Sequence, residues 1–169
     1  MKQSIILAAG VAVILVGACS KGGGSVALQP GQWETTMQFS NIEVPGAPEA
    51  QVAQMRSMMG RPQVRSECIT AAQAANPMGN MMNPGGGGCN FSQNTFAGGT
   101  INLQGSCNPP GGQASATITM TGSYTPTTIS AQVSSEVRPT AATPGGPQMI
   151  RMSGTLMSRR TGDCPGGAQ

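Results

Sequence analysis

The chain contains no histidine, and only 9% of its 169 residues are charged. Without histidine there is no Ser-His or Cys-His dyad, and the commonest general base near neutral pH is missing. The six acids are Glu34, Glu43, Glu49, Glu67, Glu136 and Asp163. They form no recognisable acid–base motif, and Glu34 and Glu136 fall on polar strand faces where solvation is expected. Aromatics make up 3% of the chain, too few for base-stacking platforms. The net charge is +3, but its one basic cluster is Arg159-Arg160, which argues against a nucleic-acid groove. No cysteine pair has CxxC spacing, so neither a zinc knuckle nor a thioredoxin-like redox site is indicated. These absences predict a protein that is not an enzyme, carries no cofactor and binds no nucleic acid.

What is present begins with export. Lys2 precedes an apolar run, Ile5 to Val16, that is too short to span roughly 30 Å of hydrocarbon. A charged start, a short apolar middle and a small-residue exit describe a signal peptide over 1–18. The exit, Val16-Gly17-Ala18-Cys19, resembles the bacterial lipobox, in which the cysteine is acylated and becomes the new N-terminus. An ordinary cleavage site beside a chance cysteine is the competing reading. By resemblance to bacterial lipoproteins, Cys19 would carry a diacylglyceryl group and an N-acyl chain such as palmitate. Several acyl chains, at about 0.8 kcal/mol per buried CH₂, hold a protein on a membrane where one chain does not. Ser20 stands where an aspartate resembles an inner-membrane retention signal, so the expected location is the periplasmic face of the outer membrane. Residues 19–29 read as lipidated cysteine and flexible tether, with Ser20 to Ser25 rich in glycine. A single β domain is expected over 30–164, with a tail over 165–169.

Within the domain the dominant signal is period two. Trp33, Thr35, Met37 and Phe39 alternate with Glu34, Thr36, Gln38 and Ser40, and Pro30-Gly31 marks the turn into them. Val52, Met55 and Met59 form a helical stripe starting near Pro48-Glu49 and stopped by Gly60. Pro62 to Glu67 reads as a second short strand, and Thr70-Ala71-Ala72-Gln73 as a capping box opening a helix to Ala75. Met78 to Gly88 shows no periodicity and reads as a mobile loop. From Cys89 onward the chain reads as a meander. Cys89–Phe96 and Thr100–Cys107 flank Ala97-Gly98-Gly99, a hairpin signal. Further strands carry Ala116, Ile118, Met120 and Tyr124, then Ile129, Ala131, Val133 and Val137, then Ile150, Met152, Gly154 and Leu156 on their apolar faces. Pro126 marks a turn, Pro139 to Pro147 a loop, and Thr161 to Gln169 a tail. The fold predicted is mainly β: five or six antiparallel strands curled into a small barrel or half-barrel, with a short helical and loop insertion after the first strand.

Four cysteines remain after Cys19, and in an exported chain an even number predicts two disulfides. With Phe96 opposite Thr100, counting outward places Cys89 opposite Cys107, within disulfide range. Cys164 follows the last strand, more than about 20 Å from that pair. If the first strand pairs antiparallel with the last, Cys68 returns beside Cys164. The predicted bridges are Cys89–Cys107 and Cys68–Cys164.

Several short runs together resemble an exported bacterial family, domain of unknown function 3617. Pro30-Gly31-Gln32-Trp33-Glu34 is similar to its P-G-x-W-E opening and Cys68-Ile69-Thr70 to its C-[LV]-T step. Cys89 and Cys107 bracket a hairpin at matching spacing, and Arg159-Arg160-Thr161-Gly162-Asp163-Cys164 is similar to its K-R-x-G-D-C ending. The position after Cys-x-Thr, often acidic in the family, is Ala-Ala here. The resemblance implies a fold and a compartment, and it carries over no catalytic residue.

Two binding chemistries remain open. Methionine recurs as M-x-x-M, and Met55, Met58, Met78 and Met81 are soft thioethers suited to Cu(I). Methionine is also a flexible filler of cores and adaptable surfaces. A curled sheet with an apolar concave face would hold a small lipophilic ligand if hollow, whereas side chains fill most small barrels. A pocket lined by Met and aliphatic residues would mark a small-ligand binder. A filled barrel would mark a non-catalytic envelope protein that binds a protein or cell-wall partner.

Overall fold

The computed structural model describes residues 26–77, 88–108, 112, 114–140 and 147–167. The signal segment, Cys19, Met78, Met81 and the 78–87 part of the predicted loop lie outside these residues.

Seven antiparallel strands form one sheet: β1 (Gly31–Glu43), β2 (Gln63–Ile69), β3 (Gly88–Ala97), β4 (Thr100–Asn108), β5 (Ala114–Tyr124), β6 (Thr128–Pro139) and β7 (Ile150–Gly162). Their spatial order is β2-β1-β7-β6-β5-β4-β3. The edges β2 and β3 are not paired with each other, so the sheet is curled but open. The count exceeds the five or six strands expected from sequence. The last strand runs on through Arg159 to Gly162, residues read above partly as tail, because β1 and the β5–β6 turn hold its backbone there.

Period two sorts the chain onto two faces. One row across six strands is Met37, Leu156, Ala131, Gly122, Ile101 and Phe96; the neighbouring polar row is Gln38, Thr155, Gln132, Thr121, Asn102 and Thr95. A surface poor in charge is thus built from hydroxyls and amides. Of three register shifts in the described sheet, two bear on the sequence reading. A register shift between Phe39 and Asn41 brings Ile42 onto the apolar face, opposite Met152, where it is fully buried.

The second bulge corrects the hairpin expected from sequence. Phe96 lies opposite Ile101, not Thr100, because the turn is the two residues Gly98-Gly99 at φ 59° and 80°. Two successive positive φ values are what such a turn requires, and glycine meets them without steric cost. A shift between Phe91 and Gln93 then restores the register, so Cys89 still faces Cys107. Two errors of one residue, in opposite senses, cancel.

Helix α1 (Glu49–Met59) packs over one end of the apolar face. Its Val52, Met55 and Met59 join Ile42, Val44, Phe39, Ile150 and Met152. Helix α2 (Ala71–Ala75) is held by the capping box read from sequence: the Gln73 amide N–H donates to Thr70 Oγ1 at 3.3 Å, and the Thr70 N–H to Gln73 Oε1 at 2.8 Å. At this second end, Leu28 and Ala74 close over Trp33, Ile101, Leu103, Tyr124, Ile129, Val133 and Leu156. The segment before β1 crosses like a strap: the Gln29 N–H donates to the Pro126 carbonyl at 2.8 Å. Apolar side chains therefore fill much of the concave face.

Candidate functional site

The sequence runs that carried the resemblance converge at the strap end of the sheet. Trp33 is fully buried and donates its Nε1–H to the Gln29 carbonyl at 3.0 Å. Glu34 accepts from Arg159 at 2.8 Å, an exposed ion pair between β1 and β7. Arg160 donates from Nε to the Pro30 carbonyl at 2.7 Å and pairs with Asp163. Cys68 is bonded to Cys164 with Cα atoms 5.5 Å apart, and Thr70 caps α2. Each polar group in this set is occupied by another member or by nearby backbone. The cluster is a clasp that ties β1, β2 and β7 together, with no free nucleophile or base aimed at a common point. Glu34, read from sequence as solvated, lies on the exposed face and is also paired with Arg159.

The opposite end carries the second bridge, Cys89–Cys107, with Cα atoms 4.0 Å apart. Both disulfides join the cysteines that the strand order pairs. Here Glu43, Arg151 and Glu136 lie side by side on neighbouring strands of the polar face. Glu136 accepts from Arg151 Nε at 3.0 Å and from Arg138 Nε at 2.7 Å. These hydrogen bonds, Arg151 first, lower its carboxyl below the ordinary glutamate range. Glu136 is thus solvated, as expected, and also bridged by two arginines. Asn41, Glu43, Ser134, Glu136, Arg151 and Ser153 line a shallow depression of about 280 Å³, in which Met152 is the one apolar residue. Sequence reasoning missed this grouping, because its members are far apart in the chain and only the β1–β7–β6 register joins them.

Of the methionine set, Met55 and Met58 are described, and they do not share a site. Met55 packs into the core beneath α1, whereas Met58 is 62% exposed on the same helix. Among the described residues, no group of three or more acids or cysteines is placed to hold a metal ion, and no helix is long and apolar enough to cross a membrane.

No curated protein and no solved structure matches the chain. One family model does, over residues 28–164, a span that contains all seven strands, both disulfides and the clasp. The chain therefore belongs to the family described as protein of unknown function (DUF3617).

Proposed function

We propose that this chain is a non-catalytic lipoprotein of the bacterial envelope, anchored through Cys19 to the periplasmic face of the outer membrane, which binds a protein or cell-wall partner. The observation that carries the reading is how the clasp spends its residues. The polar groups of the family-like runs face one another and the backbone, which is the pattern of a stability motif. The packed concave face supports a solid scaffold over a hollow carrier.

The anchor orients the domain. Val26 lies seven positions after Cys19, a reach of at most about 25 Å when fully extended. The strap end would then lie near the membrane, and the depression around Glu136 would face away from it, where a polar, hydrogen-bonding partner could dock. Changing Cys19 to Ser is expected to move the protein from the membrane fraction to the soluble periplasm and to abolish palmitate labelling. A variant that still sediments with membranes and labels normally refutes the anchor.

Native mass spectrometry separates the scaffold from the carrier. The protein released from membranes should show the mass of the chain with its anchor alone. A stoichiometric lipophilic molecule or Cu(I) retained on the domain would overturn the scaffold reading in favour of a small-ligand or Met-based copper binder.

A further inference from the structure

Glu43 on β1 and Arg151 on β7 are directly opposed and carry unlike charges, yet they form no ion pair with each other. Each is held by a different neighbour. Arg151 donates from Nε to Glu136 Oε2 at 3.0 Å, and Glu136 also pairs with Arg138. Glu43 accepts at Oε1 from Asn41 Nδ2 at 2.9 Å. These contacts leave the Arg151 Nη groups and Glu43 Oε2 without a partner among the described residues. Between the strands, the residues outside the described set, 78–87, 109–111, 113 and 141–146, include no charged side chain to fill the gap.

The depression is therefore lined by a cation and an anion held apart. Asn41, Ser153 and Ser134 form the next row along the same face and add neutral donors and acceptors. Its volume of about 280 Å³ falls just under the roughly 300–1,000 Å³ of sites for drug-sized ligands, so it suits a small head group. An ion of one sign meets attraction on one strand and repulsion on the next. A group that carries both charges meets an opposite charge on each.

We propose, on the strength of the docking face inferred above, that this depression binds the zwitterionic head of an α-amino acid. Such a head carries an ammonium and a carboxylate on one carbon. The carboxylate takes the Arg151 Nη donors, whose planar fork matches it, and the Ser153 hydroxyl lies on the same strand. The ammonium donates to Glu43 Oε2 and to Asn41 Oδ1. The strands that present the two charges lie about 4.8 Å apart, so one carbon can serve both. Glu136 is a positioning residue: by taking Arg151 Nε it keeps the guanidinium away from Glu43. The head occurs on free amino acids and on the unlinked end of a diamino acid in a cell-wall peptide.

The test uses the full chain, extracted with its anchor in mild detergent, in equilibrium dialysis against radiolabelled diaminopimelate. That probe carries the head at both ends. Cadaverine offers only amines and pimelate only carboxylates, and each should bind about tenfold more weakly. Glu43→Gln and Arg151→Gln should each cut the bound label about tenfold. Glu49→Gln, the same charge change on α1, should leave it unchanged. Circular dichroism checks that each variant is folded. Purified cell-wall sacculi separate the two sources. Cosedimentation that free diaminopimelate competes away assigns the head to the cell wall; binding of the free probe without cosedimentation assigns it to free amino acids. Cadaverine or pimelate bound as tightly as diaminopimelate overturns the proposal, as does a folded chain that retains no label. Sacculus binding that survives both Glu43→Gln and Arg151→Gln also overturns it, while the cell-wall reading stands.

Discussion

Replacing Cys68 and Cys164 together with serine is expected to lower stability by about 4.7 kcal/mol in the loop-entropy model. The bridge spans 96 residues of sequence, whereas Cys89–Cys107 spans 18, for which the same model gives about 3 kcal/mol. Cutting the longer loop frees more conformations in the unfolded chain. The folded state also loses the tie between the outermost strand β2 and the segment after β7, at a cysteine that is itself buried. Both partners must be changed, since one free thiol left behind would be available for exchange. For a domain of this size, a loss of that order lowers Tm by about 10–20 °C. Thermal unfolding followed by circular dichroism, under oxidising conditions, compares the two double variants directly. If the Cys89/Cys107 variant is the less stable, loop length does not govern these bridges. A crosslinked Cys68–Cys89 or Cys107–Cys164 peptide in non-reducing mapping would refute the pairing itself.

Trp33→Ala is expected to cost about 3–5 kcal/mol, the range for deleting a large buried aromatic. Trp33 has no solvent exposure, and Leu28 and Ala74 pack in the cluster that covers it. Removing the indole opens a cavity at the point where the strap, α2 and the sheet meet. It also leaves the Gln29 carbonyl without its 3.0 Å donor. Trp33→Phe keeps most of the ring volume and loses the donor, so its cost should be smaller, about 1–3 kcal/mol for an unmade buried hydrogen bond. Because Trp33 is the sole tryptophan, unfolding in urea must be followed by circular dichroism rather than intrinsic fluorescence. Native stabilities are typically about 5–15 kcal/mol, so the alanine variant should unfold at a much lower urea concentration than the parent. A cost below about 1 kcal/mol for Trp33→Ala would mean that this end of the sheet is not the core it resembles.

The two perturbations probe the same clasp from its covalent and apolar sides. Their sites share elements, so their effects need not add. Cys68 lies opposite Gln32, next to Trp33 on β1, and Cys164 follows the Arg160–Asp163 pair by one residue. A double-mutant cycle between them would measure how far the bridge and the tryptophan act as one unit.

The amino-acid sequence by itself determined which residues face inward along the regular parts of most strands, because a pleated strand alternates its side chains and alternation is a local pattern. It determined the capping box of α2, the α1 stripe and the place, though not the register, of the glycine turn after β3, because in each the neighbouring members lie within four positions of one another. The tertiary structure alone decided the rest. It set β1 between β2 and β7, joined Glu34 to Arg159 across 125 residues, and drew Glu43, Arg151 and Glu136 into one row. It also placed the bulges that rephase Ile42 and realign Cys89 with Cys107, and it left the sheet open. Register shifts and strand neighbours arise from packing between distant segments, and a one-residue slip changes no local propensity while turning every following side chain to the other face.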